Sequence, residues 1–197
     1  MNQVQLKVIG VILIFVGLVV GGIIYLNKRP ADKPLTNSEE ISKASPVNLK
    51  MKLQSTAFEY NGMIPAKYTC DGQNINPQLS ISEVPETAVS LVLIVDDPDA
   101  SSGDFVHWTV WNIQPATNVE ITEGALPAGG IEGMTDFGKS GWGGPCPPSG
   151  THHYQFNLYA IDTVLDLSES ATKADILRAI DGRIVDEAVL VGLYKRG

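Results

Sequence analysis

The chain holds three histidines, His107, His152 and His153, and all lie within or a few residues beyond two stretches that do not read as ordinary loops. The first, Asp96-Asp97-Pro98-Asp99-Ala100, directly follows an apolar run. Three carboxylates in four residues repel one another, so they are either fully solvated or held by hydrogen bonds and a cation. Pro98 fixes φ and makes the turn rigid. The second stretch, GKSGWGGPCPPSGTHHY from Gly138 to Tyr154, carries five glycines and three prolines. It lets backbone approach a ligand closely while limiting flexibility, and it delivers His152, His153 and Tyr154 into a strand. Together these residues could grip an anion. Imidazole and phenol donate hydrogen bonds, glycine N–H groups form a concavity, and a carboxylate orients an imidazole. The alternative, that the histidines are merely satisfied polar residues near strands, stays open, and it is preferred for His153. Alternation puts His152 and Tyr154 on one face, so the neighbouring histidine must point away.

Other chemistries fit less well. His152 and His153 with Asp97 or Asp99 could bind zinc, but no H-E-x-x-H or C-x-x-C spacing accompanies them, and no metal is expected. A serine hydrolase would want G-x-S-x-G, a frame that Gly138-Lys139-Ser140-Gly141 lacks. A Cys146 nucleophile beside His152 is conceivable, though Pro145 and Pro147 on either side suggest a geometric role. Gly138-Lys139-Ser140 has no P-loop glycine before it and no strand and helix around it. No cofactor is implied, and catalysis with histidine as general base is the minor reading.

The elements that must position these groups are mostly strands. Runs rich in β-branched and aromatic residues occupy Ser90 to Val95, Val106 to Ile113, His153 to Ile161 and Ala188 to Tyr194, each bounded by Pro, Gly, Asp or Asn. In the second run, alternation sets His107, Thr109 and Trp111 on one face and Val106, Trp108, Val110 and Asn112 on the other. One soluble helix is expected over Lys173 to Ile180. Thr172 is its N-cap, Asp175 lies near the capping-box position, and Ile176, Leu177 and Ile180 share a face. The fold class is mostly β with one late helix.

Ahead of this domain, Val8 to Leu26 reads VIGVILIFVGLVVGGIIYL, 19 residues without a charge. At about 1.5 Å per residue that nearly matches a hydrocarbon core of roughly 30 Å, so residues 1–26 are expected to be a membrane anchor with its span over 8–26. A cleaved signal peptide is the rival, but no A-x-A-like site follows the run. Residues 27–48 are polar, with Pro, Ser, Asn and charges of both signs, and read as a flexible tether. The whole chain has 197 residues, 14 basic and 22 acidic, a net charge of −8. Setting aside five basic and three acidic residues before position 49 leaves 9 basic against 19 acidic in residues 49–197, a net −10. That balance, without a basic run, excludes a nucleic-acid partner. No internal repeat is visible.

YTCDG from Tyr68 to Gly72, DDPDA followed by HWTVWN from His107 to Asn112, and DFGKSGWGGPCPPSGTHHYQFNLYAID from Asp136 to Asp162 resemble the phosphatidylethanolamine-binding protein family. More narrowly they resemble its prokaryotic Raf kinase inhibitor-like (YbhB/YbcL) branch, over about residues 51–196. The resemblance implies a Greek-key β-sheet domain with one pocket at a sheet end for phosphate-bearing or other small anionic head groups. By motif, Asp97 is the first acid of the family's D-P-D turn, His107 its strand histidine, and His152 with Tyr154 the pair after its P-P-x-G loop. Pro98, Asp99, Pro147 and Pro148 shape the rim. Two departures stand out: Ser101 follows D-P-D-A where the family often has proline, and His153 lies between the histidine and the tyrosine. The fold also brings Cys70 and Cys146 near the same pocket, either bonded, which needs an oxidising compartment, or as two buried thiols.

Two functions are therefore expected to compete. One is a membrane-anchored, non-catalytic binding domain for a phosphate-type anion or phospholipid head group. The other is an inhibitor or adaptor that docks on a kinase or protease. Lys28, Arg29 and Lys33 lean towards a cytoplasmic domain. The acidic, potentially disulfide-bonded domain leans the other way, and an extracytoplasmic location is the expectation.

Overall fold

The computed structural model describes residues 51–197, and the expected membrane span and tether, residues 8–26 and 27–48, lie outside the described residues. Among the described residues no helix is long and apolar enough to cross a membrane. The apolar runs lie side by side as strands. In chain order these are β1 (Lys52–Gln54), β2 (Gly62–Met63), β3 (Leu79–Ser82), β4 (Ser90–Asp97), β5 (Phe105–Ile113), β6 (Asn118–Ile121), β7 (Ile131–Glu132), β8 (His152–Ile161) and β9 (Ile184–Tyr194), with a single 3-10 turn (Ala66–Tyr68) between β2 and β3 and, among the described residues, one α-helix, α1 (Lys173–Ile180), before β9. A six-stranded sheet has the order β2-β9-β8-β4-β5-β7, and a three-stranded sheet has the order β1-β3-β6. All pairings are antiparallel except β2 with β9.

Strand β4 explains the layering. It is buried at every position, as a central strand covered on both faces must be. Leu91, Leu93 and Val95 point into one core with Leu53, Leu79, Ile81 and Ile121 of the smaller sheet. Val92 and Ile94 point the other way, into a second core with Trp111, Ile161, Ile176 and Ile180. Burying each such side chain contributes about 1.5–3 kcal/mol, so both faces of β4 are strongly fixed.

Helix α1 occupies the expected residues. The Thr172 hydroxyl accepts from the Asp175 N–H, and the Asp175 carboxylate accepts from the Thr172 N–H, closing a capping box. Its face is narrower than the sequence suggested. Ile176 and Ile180, four apart, are buried, whereas Leu177, about 100° further round the helix, is exposed. The sequence reading also cut β4, β5, β8 and β9 short, and it did not contain the short strands β1, β2, β3, β6 and β7. Two to four residues are too few for a period to show.

Candidate functional site

The acidic turn is dismantled by alternation. Asp96 and Asp97 are not a turn after β4 but its last two residues, so they face opposite sides of the sheet. On the helix side, Asp96 accepts from Lys173 Nζ at 2.5 Å and from the Asn157 amide at 3.3 Å. Burial holds its carboxyl above the usual range although Lys173 pulls it down. On the other side, Asp97 Oδ2 accepts from His152 Nδ1 at 2.7 Å, and its Oδ1 accepts from the Asp99 N–H at 2.9 Å. Asp99 turns outward, where Oδ2 accepts from both the N–H and Nδ1 of His153, and those bonds hold its carboxyl low.

His107 reaches Asp97's face through an irregularity. Val95 pairs with Trp108 but Asp96 pairs with Val106, so His107 is the extra residue of a β-bulge. A bulge breaks strict alternation and re-aims a side chain. The face assigned to His107 from sequence, shared with Thr109 and Trp111, is therefore corrected. Trp111 enters the helix-side core, while the His107 ring stands edge-on to Tyr154, with centroids 5.1 Å apart. Phe105 and Phe137 pack on it at 5.2 and 5.4 Å.

The glycine-rich loop supplies the opposite wall. His107 Nδ1 donates to the Gly143 carbonyl at 2.6 Å, and the Gly143 N–H donates back to the His107 carbonyl. The next residue approaches the 68–74 segment so closely that a Cβ at Gly144 would lie 2.5 Å from the Tyr68 carbonyl oxygen. There the Gly144 N–H donates to Asn74 Oδ1, Trp142 Nε1 donates to the Tyr68 carbonyl, and Cys70 is joined to Cys146 by a disulfide. A bonded Cys146 cannot be the nucleophile that the sequence left conceivable.

These walls enclose a pocket of about 190 Å³. That is below the roughly 300–1,000 Å³ of sites for drug-sized ligands and suits a head group without its chains. Asp97, His107, His152, Tyr154, Pro147 and Pro148 line it, together with Cys146, Ala100, Ser101, Ser102, Phe105 and Phe137. Pro98 and Asp99 do not: Pro98 turns the chain and Asp99 is spent on His153. Phe105 and Phe137 were missed by sequence reasoning. Phe105 could have been found two residues before His107, but Phe137 arrives from a loop and carried no signal. Among the described residues no cluster of three His, Cys, Asp or Glu side chains could hold a metal ion.

The polar groups are poised differently. His152 and Asp97 are a nearly buried pair, with side chains 12% and 5% exposed. Burial holds His107 below its usual range, against the pull of the Gly143 carbonyl, Asp97 and Asp136. The Tyr154 hydroxyl is buried and makes no bond of good hydrogen-bond geometry, although Asp97 and the Cys146 backbone lie close to it. Burial foremost, then the nearby Asp97 charge, pushes that phenol far up, so it stays a donor.

Two stacked sheets with a late helix, and a small pocket of mixed polar and apolar lining where β4 ends and β5 and β8 begin, define a β-sheet ligand-binding domain. Residues 54–195 match the model of the Phosphatidylethanolamine-binding protein family, and the chain belongs to that family. Among its relatives, the UPF0098 protein of Methanothermobacter thermautotrophicus is 52% identical over 75% of this chain and all of its own length. The crystal structure of a phosphatidylethanolamine-binding protein homologue from Chlamydia trachomatis is similar with a TM-score of 0.71 and 43% identity, over 75% of this chain and 98% of that one. That of E. coli YbcL, described as a member of the mammalian family, gives 0.69 and 29%, over 75% and 99%.

Proposed function

We propose that the domain is a non-catalytic binding module for a small phosphate-type anion, either free or as a phospholipid head group. Residues 8–26 would anchor it to a membrane with the domain outside the cytoplasm. One observation carries the reading: the buried Tyr154 hydroxyl lines a pocket with two imidazoles and makes no bond of good hydrogen-bond geometry, although Asp97 stands close to it. A buried donor left unpaired costs about 1–3 kcal/mol, and an anionic oxygen would remove that cost. The family membership supports the same ligand class.

The non-catalytic part rests on the surroundings of the Asp97–His152 pair. In a nucleophilic triad the far nitrogen of the imidazole would bond a hydroxyl or thiol. Among the described residues neither Ser101 nor Ser102 bonds His152, and Cys146 is oxidised. The test is titration of inorganic phosphate and phosphoethanolamine into the full chain, monitored by histidine NMR signals. His107 and His152 are expected to shift while His153 stays. No histidine shift at millimolar ligand refutes the reading.

A further inference from the structure

Both pocket imidazoles spend their Nδ1 inside the protein. His107 Nδ1 faces the Gly143 carbonyl oxygen at 2.6 Å. A carbonyl can only accept, so this nitrogen carries the hydrogen. His152 Nδ1 faces Asp97 Oδ2 at 2.7 Å, and an ionised carboxylate likewise only accepts. In each neutral ring Nε2 is therefore a lone pair, and neither Nε2 has a hydrogen-bond partner among the described residues. A dianion entering the pocket would meet two lone pairs and the Asp97 charge, with hydroxyls of Tyr154, Ser101 and Ser102 as the side-chain donors.

We propose that the pocket takes its phosphate-type anion together with one proton. The inference rests on the anion-pocket reading above and adds the protonation state that the site accepts. The proton sits between an imidazole Nε2 and a ligand oxygen, either as imidazolium or as a P–OH group, and the stoichiometry is the same. At His152 an imidazolium would stand against the Asp97 carboxylate, 2.7 Å from Nδ1 to Oδ2. His107, facing Asp97 from β4, Asp136 after β7 and the Tyr154 phenol from β8, is disfavoured as a cation by its burial. It keeps an acceptor turned to the ligand and so favours one bearing a hydroxyl.

A phosphate monoester has its second pKa near about 6 and can bring the proton itself. A phosphodiester cannot, and it depends on the imidazole. Calorimetry of the full chain in neutral detergent, in two buffers of different ionisation enthalpy, counts the protons taken up. Inorganic phosphate and glycerophosphoethanolamine are the two ligands, at pH 6.5, 7.5 and 8.5. At pH 8.5 close to one proton is expected per phosphate bound, with affinity falling about tenfold between pH 7.5 and 8.5. Uptake with phosphate and no diester binding upholds the proposal with free phosphate as the source. Uptake with both upholds it with a lipid head group admitted. Binding without proton exchange and with flat affinity overturns it. Heat from neither ligand at pH 6.5 overturns the anion-pocket reading instead. The variant His153→Ala, outside the pocket, is expected to retain full uptake, and loss of uptake there also overturns the proposal.

Discussion

Lys173 offers the sharpest test of how the site is supported. Its ammonium touches Asp96 at 2.5 Å and also contacts Asp104, next to the loop whose residues 100–102 line the pocket. The Asp96 side chain is 4% exposed and that of Lys173 21%. In Lys173→Met, Asp96 retains only the two long bonds from the Asn157 amide, both 3.3 Å. Removing one partner of a buried pair typically costs about 3–5 kcal/mol. Water reaches Lys173, so the lower end applies, about 3 kcal/mol at pH 8. For a domain of this size that is a fall in Tm on the order of 10 °C.

The pH dependence gives the reasoning a sign. Burial already holds the Asp96 carboxyl above its usual range. A carboxyl whose folded pKa is raised favours the fold in its protonated form, so its penalty is present at high pH and is relieved as pH falls through the folded value. Without Lys173 that value rises further. The deficit of the variant against the parent is therefore largest near pH 8 and shrinks towards pH 5. Lys173→Met with Asp96→Asn should recover all but about 1 kcal/mol, since no charge is then stranded. Urea unfolding monitored by tryptophan fluorescence at pH 8 and pH 5 reads the parent, both single variants and the double variant. A deficit below about 1 kcal/mol at pH 8, or one equal at both pH values, refutes the account of a stranded buried charge.

Three further outcomes concern the pocket walls. Tyr154→Phe should change stability by no more than about 1 kcal/mol, because the buried hydroxyl makes no bond of good geometry although Asp97 is close to it, yet weaken phosphate binding about tenfold or more; thermal melts and calorimetry read the two, and a larger loss of stability with unchanged binding would make Tyr154 purely structural. Reducing the Cys70–Cys146 bond, which closes a loop of 76 residues, should lower stability by about 4 kcal/mol on the chain-entropy estimate, read as urea midpoints with and without reductant. Gly144→Ala should destabilise by about 1–3 kcal/mol, since its methyl would meet the Tyr68 carbonyl oxygen at 2.5 Å. Gly138→Ala has no atom within 4 Å and carries only the strain of its φ of 73°, so equal midpoints for the two alanine variants would contradict the close approach.

Much of the fold is legible where a period runs long enough. Lys173 to Ile180 declares itself by the Thr172–Asp175 box and the spacing of Ile176 and Ile180, all local features. The four long strands do so by β-branched and aromatic density. Strand ends are less legible because pairing across the sheet decides them: Asp96 and Asp97 read as a polar turn, yet β8 and β5 hold them in ladder register. The pocket residues from rigid segments, Pro147, Pro148, His152 and Tyr154, are visible as a cluster of unusual types. Phe137 is not, since nothing near it in sequence announces the His107 ring it packs against.

The bulge at His107 shows why alternation alone could not have built the pocket. A one-residue change of register sends a side chain to the other face. Continued without the bulge, the ladder from Trp108 would set His107 opposite Asp96, on the helix side where Lys173 stands. Asp97 and His152 would then face a wall without a second imidazole. The extra residue sits where β4 changes from apolar to acidic, between the Val95 and Asp96 pairings. There it keeps Trp108 in the core and places Phe105 opposite Asp97. It thereby adds His107 to the pocket face without removing a core side chain. Adjacent carboxylates with opposite duties arise from the same geometry. Asp96 anchors the helix through Lys173, Asp97 orients His152, and the sheet between them keeps two negative charges one residue apart from sharing a site.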